Sequence, residues 1–240
     1  MIRIKYIPVV LSAFTTLTLT AQEISDAYTF IIKPGSKEWN QLKTHEDMIR
    51  VCQIPEDTLT KLTTKALLET CLAYPLMPDA FVYNNMKEGF NKTYDKFNAY
   101  NELISRKDFA SQLIKAYEML NFKLLDSMQS DEEKGFFVIK ISVAELFFGT
   151  SEFISQLHII NNKEILSILI DKLIDKVQFH NIFGQIGIVS SSYAMINVLA
   201  VASDNELLKS DEMNDFKTYM EFKNVEILDK IILMAKKYIE

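Results

Sequence analysis

The fold is decided by residues 177–203, which read VQFHNIFGQIGIVSSSYAMINVLAVAS. This stretch contains no Asp, Glu, Lys or Arg, so a helix formed from it has no charged face to present to water. A membrane-spanning helix is one interpretation, but polar side chains dilute the apolar character: Gln185, Ser190, Ser191, Ser192 and Asn197. We favour a central helix buried among others, because small residues along it allow a neighbour to approach closely: Gly184, Gly187, Ser191 and Ala194.

The sequence on both sides of this stretch predicts amphipathic helices. In residues 163–177, apolar side chains recur every three or four positions with lysines and acids between them, and residues 228–239 repeat the pattern. No proline follows Pro78, so the helices predicted near 162–180 and 185–203 contain no proline break.

Local signals support the same assignment. Residues 135–142 (GFFVIKIS) are β-branched and aromatic enough for a strand, but no turn signal separates them from the helical pattern that follows. We therefore assign them to a helix. Thr44 and Ser130 each precede an acidic residue by three positions, which is typical of the hydroxyl that caps a helix N-terminus.

Composition limits the class of protein. The 240 residues are 48% hydrophobic with a net charge of −6, which excludes a disordered chain. We predict an all-α fold, either a multi-helical layered bundle or an α–α superhelix of the armadillo type without obvious sequence repeats. No linker rich in Gly, Pro or Ser divides the chain, so we expect residues 22–240 to form a single helical domain.

The N-terminus has the pattern of an export signal. Arg3 and Lys5 precede an uncharged run over residues 7–19, and the small residue Ala21 is followed by a polar segment. We therefore expect residues 1–21 to be a signal peptide and the protein to be periplasmic or secreted; an N-terminal anchor helix is the alternative. Losing Arg3 and Lys5 moves the net charge from −6 to −8, which argues against nucleic acid and anionic membranes as partners. We also expect no stable membrane span after cleavage.

The two cysteines, Cys52 and Cys71, leave two alternatives open. In an oxidising compartment an even number of cysteines favours a disulfide. Both lie on apolar faces of predicted helices, however, where free cysteine is commonly buried. A bridge needs Cα atoms within about 7 Å, which packed helices allow but do not require.

Motifs for catalysis or metal binding are absent from the sequence. The histidines are His45, His158 and His180, without the spacing of a zinc site, so we expect no metal or cofactor. There is no nucleophile elbow and no phosphate-binding glycine loop. We expect the serines at 190–192 to bond back to helix carbonyls. No catalytic residue is assigned from a motif.

The most informative polar pattern lies in residues 79–105, predicted to be helical with a break near Gly89 or Asn98. Beside an apolar stripe runs an edge of alternating amides and carboxylates: Asn84, Glu88, Asn91, Asp95, Asn98 and Glu102. Such an edge is commonly a solvated flank. If a neighbouring helix encloses it, the amides and carboxylates would bind a hydroxyl-rich ligand, with nearby tyrosines stacking on sugar faces.

The same edge suggests an enzymatic alternative. Glu88 and Asp95 would form a carboxylate pair for hydrolysis of a glycosidic bond. Two helical turns separate them by about 10 Å along the axis. That distance is at or beyond the upper limit of the separation expected between the two carboxyl groups of an inverting glycosidase, which weakens this interpretation.

The N-terminal half, over residues 33–125, resembles an uncharacterised family of exported all-helical proteins from Gram-negative bacteria. The residues that carry the resemblance are Pro34-Gly35-Ser36 with Glu38-Trp39, Leu42-Lys43-Thr44, Cys52-Gln53-Ile54-Pro55, the segment 66–72, Tyr74-Pro75-Leu76 and Tyr83-Asn84-Asn85. The resemblance implies export and an all-helical fold. It implies no established activity, so it assigns no functional residue.

These observations lead to three hypotheses about function. The first is an exported binding or interaction module whose ligand is a glycan or an envelope protein, bound near residues 84–98. The second is a hydrolase of envelope or dietary polymers that uses Glu88 and Asp95. The third is a structural subunit of an envelope complex.

Overall fold

The computed structural model describes residues 26–221 and 224–240, and all regular secondary structure in these ranges is helical. The predicted signal peptide lies outside the described residues. The α-helices are α1 His45–Val51, α2 Glu56–Leu59, α3 Thr64–Cys71, α4 Met86–Tyr94, α5 Asn98–Ser105, α6 Phe109–Glu118, α7 Asp131–Phe147, α8 Ser151–Gln156, α9 Asn162–Gln178, α10 His180–Ala202, α11 Asp211–Tyr219 and α12 Glu226–Ile239. Short 3₁₀ segments are Trp39–Gln41, Met77–Phe81, Phe122–Ser127, Leu157–Ile159 and Glu206–Lys209.

The all-α prediction is confirmed, and the helices form a multi-helical bundle. Helix α10 lies at its centre, with α7, α9 and α12 packed against it. By length and composition α10 could cross a membrane, but 67% of its apolar window is buried inside the protein, as expected of a core helix. Residues 135–142 belong to α7, and both predicted capping boxes, at Thr44 and Ser130, are present.

A kink at Gly184 divides α10 into a single turn and a long helix. Gly184 has φ 55° and ψ −155°, a backbone conformation that residues with a Cβ avoid. The long helix therefore begins at Gln185, where the sequence predicts it. The kink lets the chain reverse between α9 and α10, which pack against each other.

A fully buried polar cluster joins four helices in the core. The Nζ atom of Lys176 on α9 lies 2.6 Å from both carboxylate oxygens of Glu145 on α7, and the two side chains are 1% and 0% exposed. Ser191 of α10 donates a hydrogen bond of 2.6 Å to Glu145, while Ser190 of α10 and Tyr117 of α6 also donate to it. Burial lowers the pKa of Lys176, and the Glu145 carboxylate acts in the opposite direction.

Removing one partner of this buried pair should destabilise the fold strongly. We expect Lys176→Met to lower the free energy of unfolding by about 3–5 kcal/mol, because it leaves the Glu145 carboxylate buried without its counter-charge. Urea denaturation followed by circular dichroism measures the change. The matched control is Lys209→Met, which breaks an exposed pair with Glu206 and should change stability little. Equal losses in the two variants would contradict this account.

The segment 79–105 is predicted to be helical with a break near Gly89 or Asn98, and the structure divides it into three helical segments. The chain forms the 3₁₀ segment Met77–Phe81, then α4 and α5 with a turn at residues 95–97. Asn85 starts α4 by accepting a hydrogen bond of 2.9 Å from the backbone of Glu88. The break thus falls close to Asn98, one of the two predicted positions, and Gly89 lies inside α4.

Gly89 is needed for close packing rather than for a break. A Cβ atom at this position would clash with the backbone carbonyl of Ala80, so only glycine lets α4 approach the 3₁₀ segment Met77–Phe81 this closely. Gly135 of α7 differs, since a Cβ there would meet nothing within 4 Å.

These two glycines give opposite expectations for the same substitution. Gly89→Ala should cost about 2–3 kcal/mol of unfolding free energy, because backbone must move to relieve the clash. Gly135→Ala should gain about 0.5–1 kcal/mol, because alanine restricts the unfolded chain and fits the helix. Thermal unfolding of both variants beside the parent protein tests this; a stable Gly89→Ala protein would show that α4 is not packed as described.

Candidate functional site

Two of the five predicted site residues, Asn91 and Asp95, line a concave cavity of about 610 Å³. Helix α4 forms one wall. The other walls come from α5, the N-terminal part of α8, the C-terminal part of α10 and the end of α11. They contribute polar side chains to the same space: Tyr100, Asn101, Glu152, Asn197, Lys217 and Thr218.

The helical repeat explains why Asn91 and Asp95 face this cavity together with Lys87. The three residues are spaced four apart, so they follow one face of α4 and its C-terminal end. Lys87 and Asp95 are separated by eight residues, about 12 Å along the helix axis. The cavity is therefore long enough for an extended ligand, with a cation near one end of α4 and a carboxylate near the other.

The other three predicted site residues do not line this cavity. Asn84 is exposed in the turn before α4, and Glu88 is exposed and paired with Lys92 at 2.5 Å. Asn98 has a structural role at the start of α5: its side-chain amide exchanges hydrogen bonds of 3.1 and 2.7 Å with the backbone N–H and carbonyl of Ile54. The turn at residues 95–97 separates Asn98 from α4, whereas Asn84 precedes α4 and Glu88 lies on a part of α4 that does not line the cavity.

Two carboxylates lie near the tyrosine in the cavity wall. Tyr100 is 6% exposed, and its pKa is raised by burial, then by the charge of Glu152 and then by that of Asp95. Asp95 therefore shares the cavity with Glu152, and Glu88 points elsewhere. The carboxylate pair proposed from the sequence is not gathered in one site.

Lys87 and Lys217 place positive charge in the same cavity. The Lys87 ammonium donates a hydrogen bond of 3.3 Å to the backbone carbonyl of Lys217 and lies 5.7 Å from the ring centre of Tyr193. Burial lowers the pKa of Lys87, and the charge of Lys217 lowers it further. No sequence motif marks these lysines, although the four-residue spacing of Lys87 from Asn91 is a signal that could have identified the first.

A second cavity, of about 530 Å³, lies on the other flank of α4. Asp95 belongs to the walls of both cavities, and Lys92, Lys96, Tyr83 and Tyr74 line the second one only. The Tyr74 hydroxyl is buried and has no hydrogen-bond partner among the described residues. His45 also lines the second cavity, and its Nε2 atom lies 2.8 Å from a carboxylate oxygen of Asp79.

No metal centre is found in the part of the chain that the structure describes, and the serines of the core cluster are closed to ligands. No group of three His, Cys, Asp or Glu residues there could hold a metal ion. Ser191 contacts both Lys176 and Glu145, but all three are buried and no ligand can reach them. Ser190 and Ser191 also bond back to helix carbonyls at 3.0 Å, as the sequence predicts, whereas the buried Ser192 hydroxyl has no hydrogen-bond partner among the described residues.

The cysteines are present as two free thiols in the structure, and no disulfide joins them. Cys52 and Cys71 are both completely buried. Burial raises the pKa of Cys52 to about 12, with a smaller contribution from Asp79, and burial also raises the pKa of Cys71. Thiols with raised pKa values are poor nucleophiles, so their role here is packing.

In comparisons with protein-family models, with curated proteins and with solved structures, no match to this chain is found.

The two buried tyrosines near the second cavity should respond differently to loss of their hydroxyl groups. Tyr94 donates a hydrogen bond of 2.9 Å to the carbonyl of Cys71, so Tyr94→Phe should cost about 1 kcal/mol of unfolding free energy. Tyr74→Phe removes an unpaired buried hydroxyl and should be neutral or stabilise by up to about 1 kcal/mol. Urea denaturation of both variants compares them. A loss in Tyr74→Phe as large as that in Tyr94→Phe would show that the Tyr74 hydroxyl has a partner.

Proposed function

We propose that this protein is an exported binding module that holds a glycan in the cavity of about 610 Å³ between α4, α5, α8, α10 and α11. The observation that carries the proposal is the convergence of amide, carboxylate and hydroxyl groups on one concave surface. Asparagine amides both donate and accept hydrogen bonds, and carboxylates accept them from sugar hydroxyls. A mainly apolar ligand would leave these groups without partners and is therefore disfavoured.

The shape of the cavity favours an extended chain over a compact ligand. Its lining includes residues about 12 Å apart along α4, from Lys87 to Asp95, and Asp95 also borders the second cavity. A linear oligosaccharide can follow such a surface with successive sugar units.

Binding is favoured over catalysis by the arrangement of the carboxylates. The pair Glu88 and Asp95, on which the hydrolase hypothesis rests, is not gathered in one cavity. Asp95 and Glu152 are the remaining candidates for such a pair. Analysis of the oligosaccharide for cleavage products after long incubation distinguishes a hydrolase from a binding protein.

Loss of two cavity amides should weaken glycan binding selectively. In isothermal titration calorimetry with a panel of neutral and acidic tetrasaccharides, we expect the double variant Asn91→Ala, Asn101→Ala to bind about tenfold more weakly than the parent, since each amide contributes about one hydrogen bond. The matched control is Asn84→Ala, an exposed asparagine just before α4 that does not line the cavity.

Asn84→Ala should leave the affinity unchanged, and circular dichroism verifies that all variants are folded. Unchanged affinity in the double variant would place the ligand elsewhere. Absence of binding to every tetrasaccharide in the parent protein would overturn the glycan proposal.

A further inference from the structure

Lys87 and Lys217 differ from the other lysines near the site because they have no acidic partner among the described residues. On the same helix, Lys92 is paired with Glu88, and in the core Lys176 is paired with Glu145. Lys87 and Lys217 are both half-buried in the wall of the 610 Å³ cavity. The chain thus places two partly buried cations in one cavity wall without pairing either of them with a carboxylate of the described residues.

The contacts of the Lys87 ammonium hold it in position but do not neutralise it. Its neighbours are the backbone carbonyl of Lys217 and the ring face of Tyr193, which provide partial charges only. Burial of a cation beside a second cation is unfavourable, and the lowered pKa of Lys87 reflects this. An anionic group of a ligand would relieve both the desolvation and the repulsion.

The other charges in the cavity limit the kind of anion. Asp95 and Glu152 already add two carboxylates to the same space. A group with a single negative charge, bound at the lysines and away from these acids, meets less repulsion than a doubly charged phosphate. A carboxylate attached to a sugar ring fits both the lysines and the polar remainder of the cavity.

We propose that the ligand is an acidic glycan containing uronic acid units, one of whose carboxylates binds between Lys87 and Lys217. This inference rests on the glycan-binding function proposed above and specifies its ligand class. Asn91 and Asn101 then bind hydroxyls of the adjoining sugar, and Asp95 and Glu152 accept hydrogen bonds from hydroxyls farther along the chain.

Paired oligosaccharides that differ only in charge test the proposal. The probes are tetrasaccharides of galacturonic, glucuronic and mannuronic acid and their full methyl esters, which keep the same rings without the carboxylate charge. Isothermal titration calorimetry at low and high salt should show at least one acid bound about tenfold more tightly than its ester, with the difference shrinking as salt screens the charges.

Variants of the two lysines test whether these residues cause the preference for the acid over its ester. Lys87→Met and Lys217→Met should each reduce the preference for acid over ester to about twofold or less, since each removes a cation from the anion site. Lys217→Met remains informative if Lys87→Met proves unstable. The control Lys92→Met removes a lysine of the same helix that lies outside this cavity and should keep the full preference.

The outcomes separate this inference from the proposed function. Equal binding of acids and esters, still weakened by the double asparagine variant, overturns the carboxylate site and leaves glycan binding intact. Displacement of the uronate by an equal concentration of inorganic phosphate also overturns it, because the site would then recognise any anion. If no acid and no ester binds, the inference fails together with the function on which it rests.

Discussion

The structure depends on the buried ion pair between Glu145 and Lys176. Taking both charges out of water is costly, and the cost is offset only when every lone pair and N–H group finds a partner. Three hydroxyl groups meet the carboxylate here, and the Lys176 ammonium also donates to the carbonyl of Gly187 at 3.1 Å. Sliding any of the four helices would leave one of these groups unpaired, so the cluster fixes the register of α10 against α7 and α9.

The packing around α10 also determines where the charged residues of the cavity lie. Tyr193, which directly follows Ser192, lies so close to Gly149 that a Cβ atom on this glycine would overlap the tyrosine ring. This contact places the turn between α7 and α8 beside α10, and with it Glu152 in the cavity wall. The ammonium of Lys87 on α4 lies 5.7 Å from the centre of the same tyrosine ring. The positions of both charged groups therefore follow from the packing of one core side chain.

The charged residues of the cavity are separated along α4, so the two ends of the cavity differ in the sign of their charge. The lysines lie near the start of the helix, and Asp95 lies at its end beside Glu152 and Tyr100. A ligand with one anionic end and many hydroxyls would satisfy each group in turn. The pair Glu88 and Asp95, on which the hydrolase hypothesis rests, is not gathered in this cavity, which favours recognition of a glycan over its cleavage.

Sequence periodicity determined the helical class, the buried central helix and the start of its long part at Gln185. These features depend on residues close in sequence and on the amount of apolar surface to be buried, both of which can be read without a structure. It also identified Asn91 and Asp95, because residues four apart share a helix face. It did not separate Asn84, Glu88 and Asn98 from them, since the lining of the cavity depends on where α4 begins, on the turn at residues 95–97 and on which helices pack against α4.

Only the tertiary structure brought Glu145 to Ser190 and Ser191, which the sequence left without an acidic partner, and brought Glu152 and Lys217 to α4. These pairs are separated by 45 or more positions in the chain, so no local spacing encodes them. The partner of a buried charge is chosen by which helices pack together, and that choice depends on the whole core.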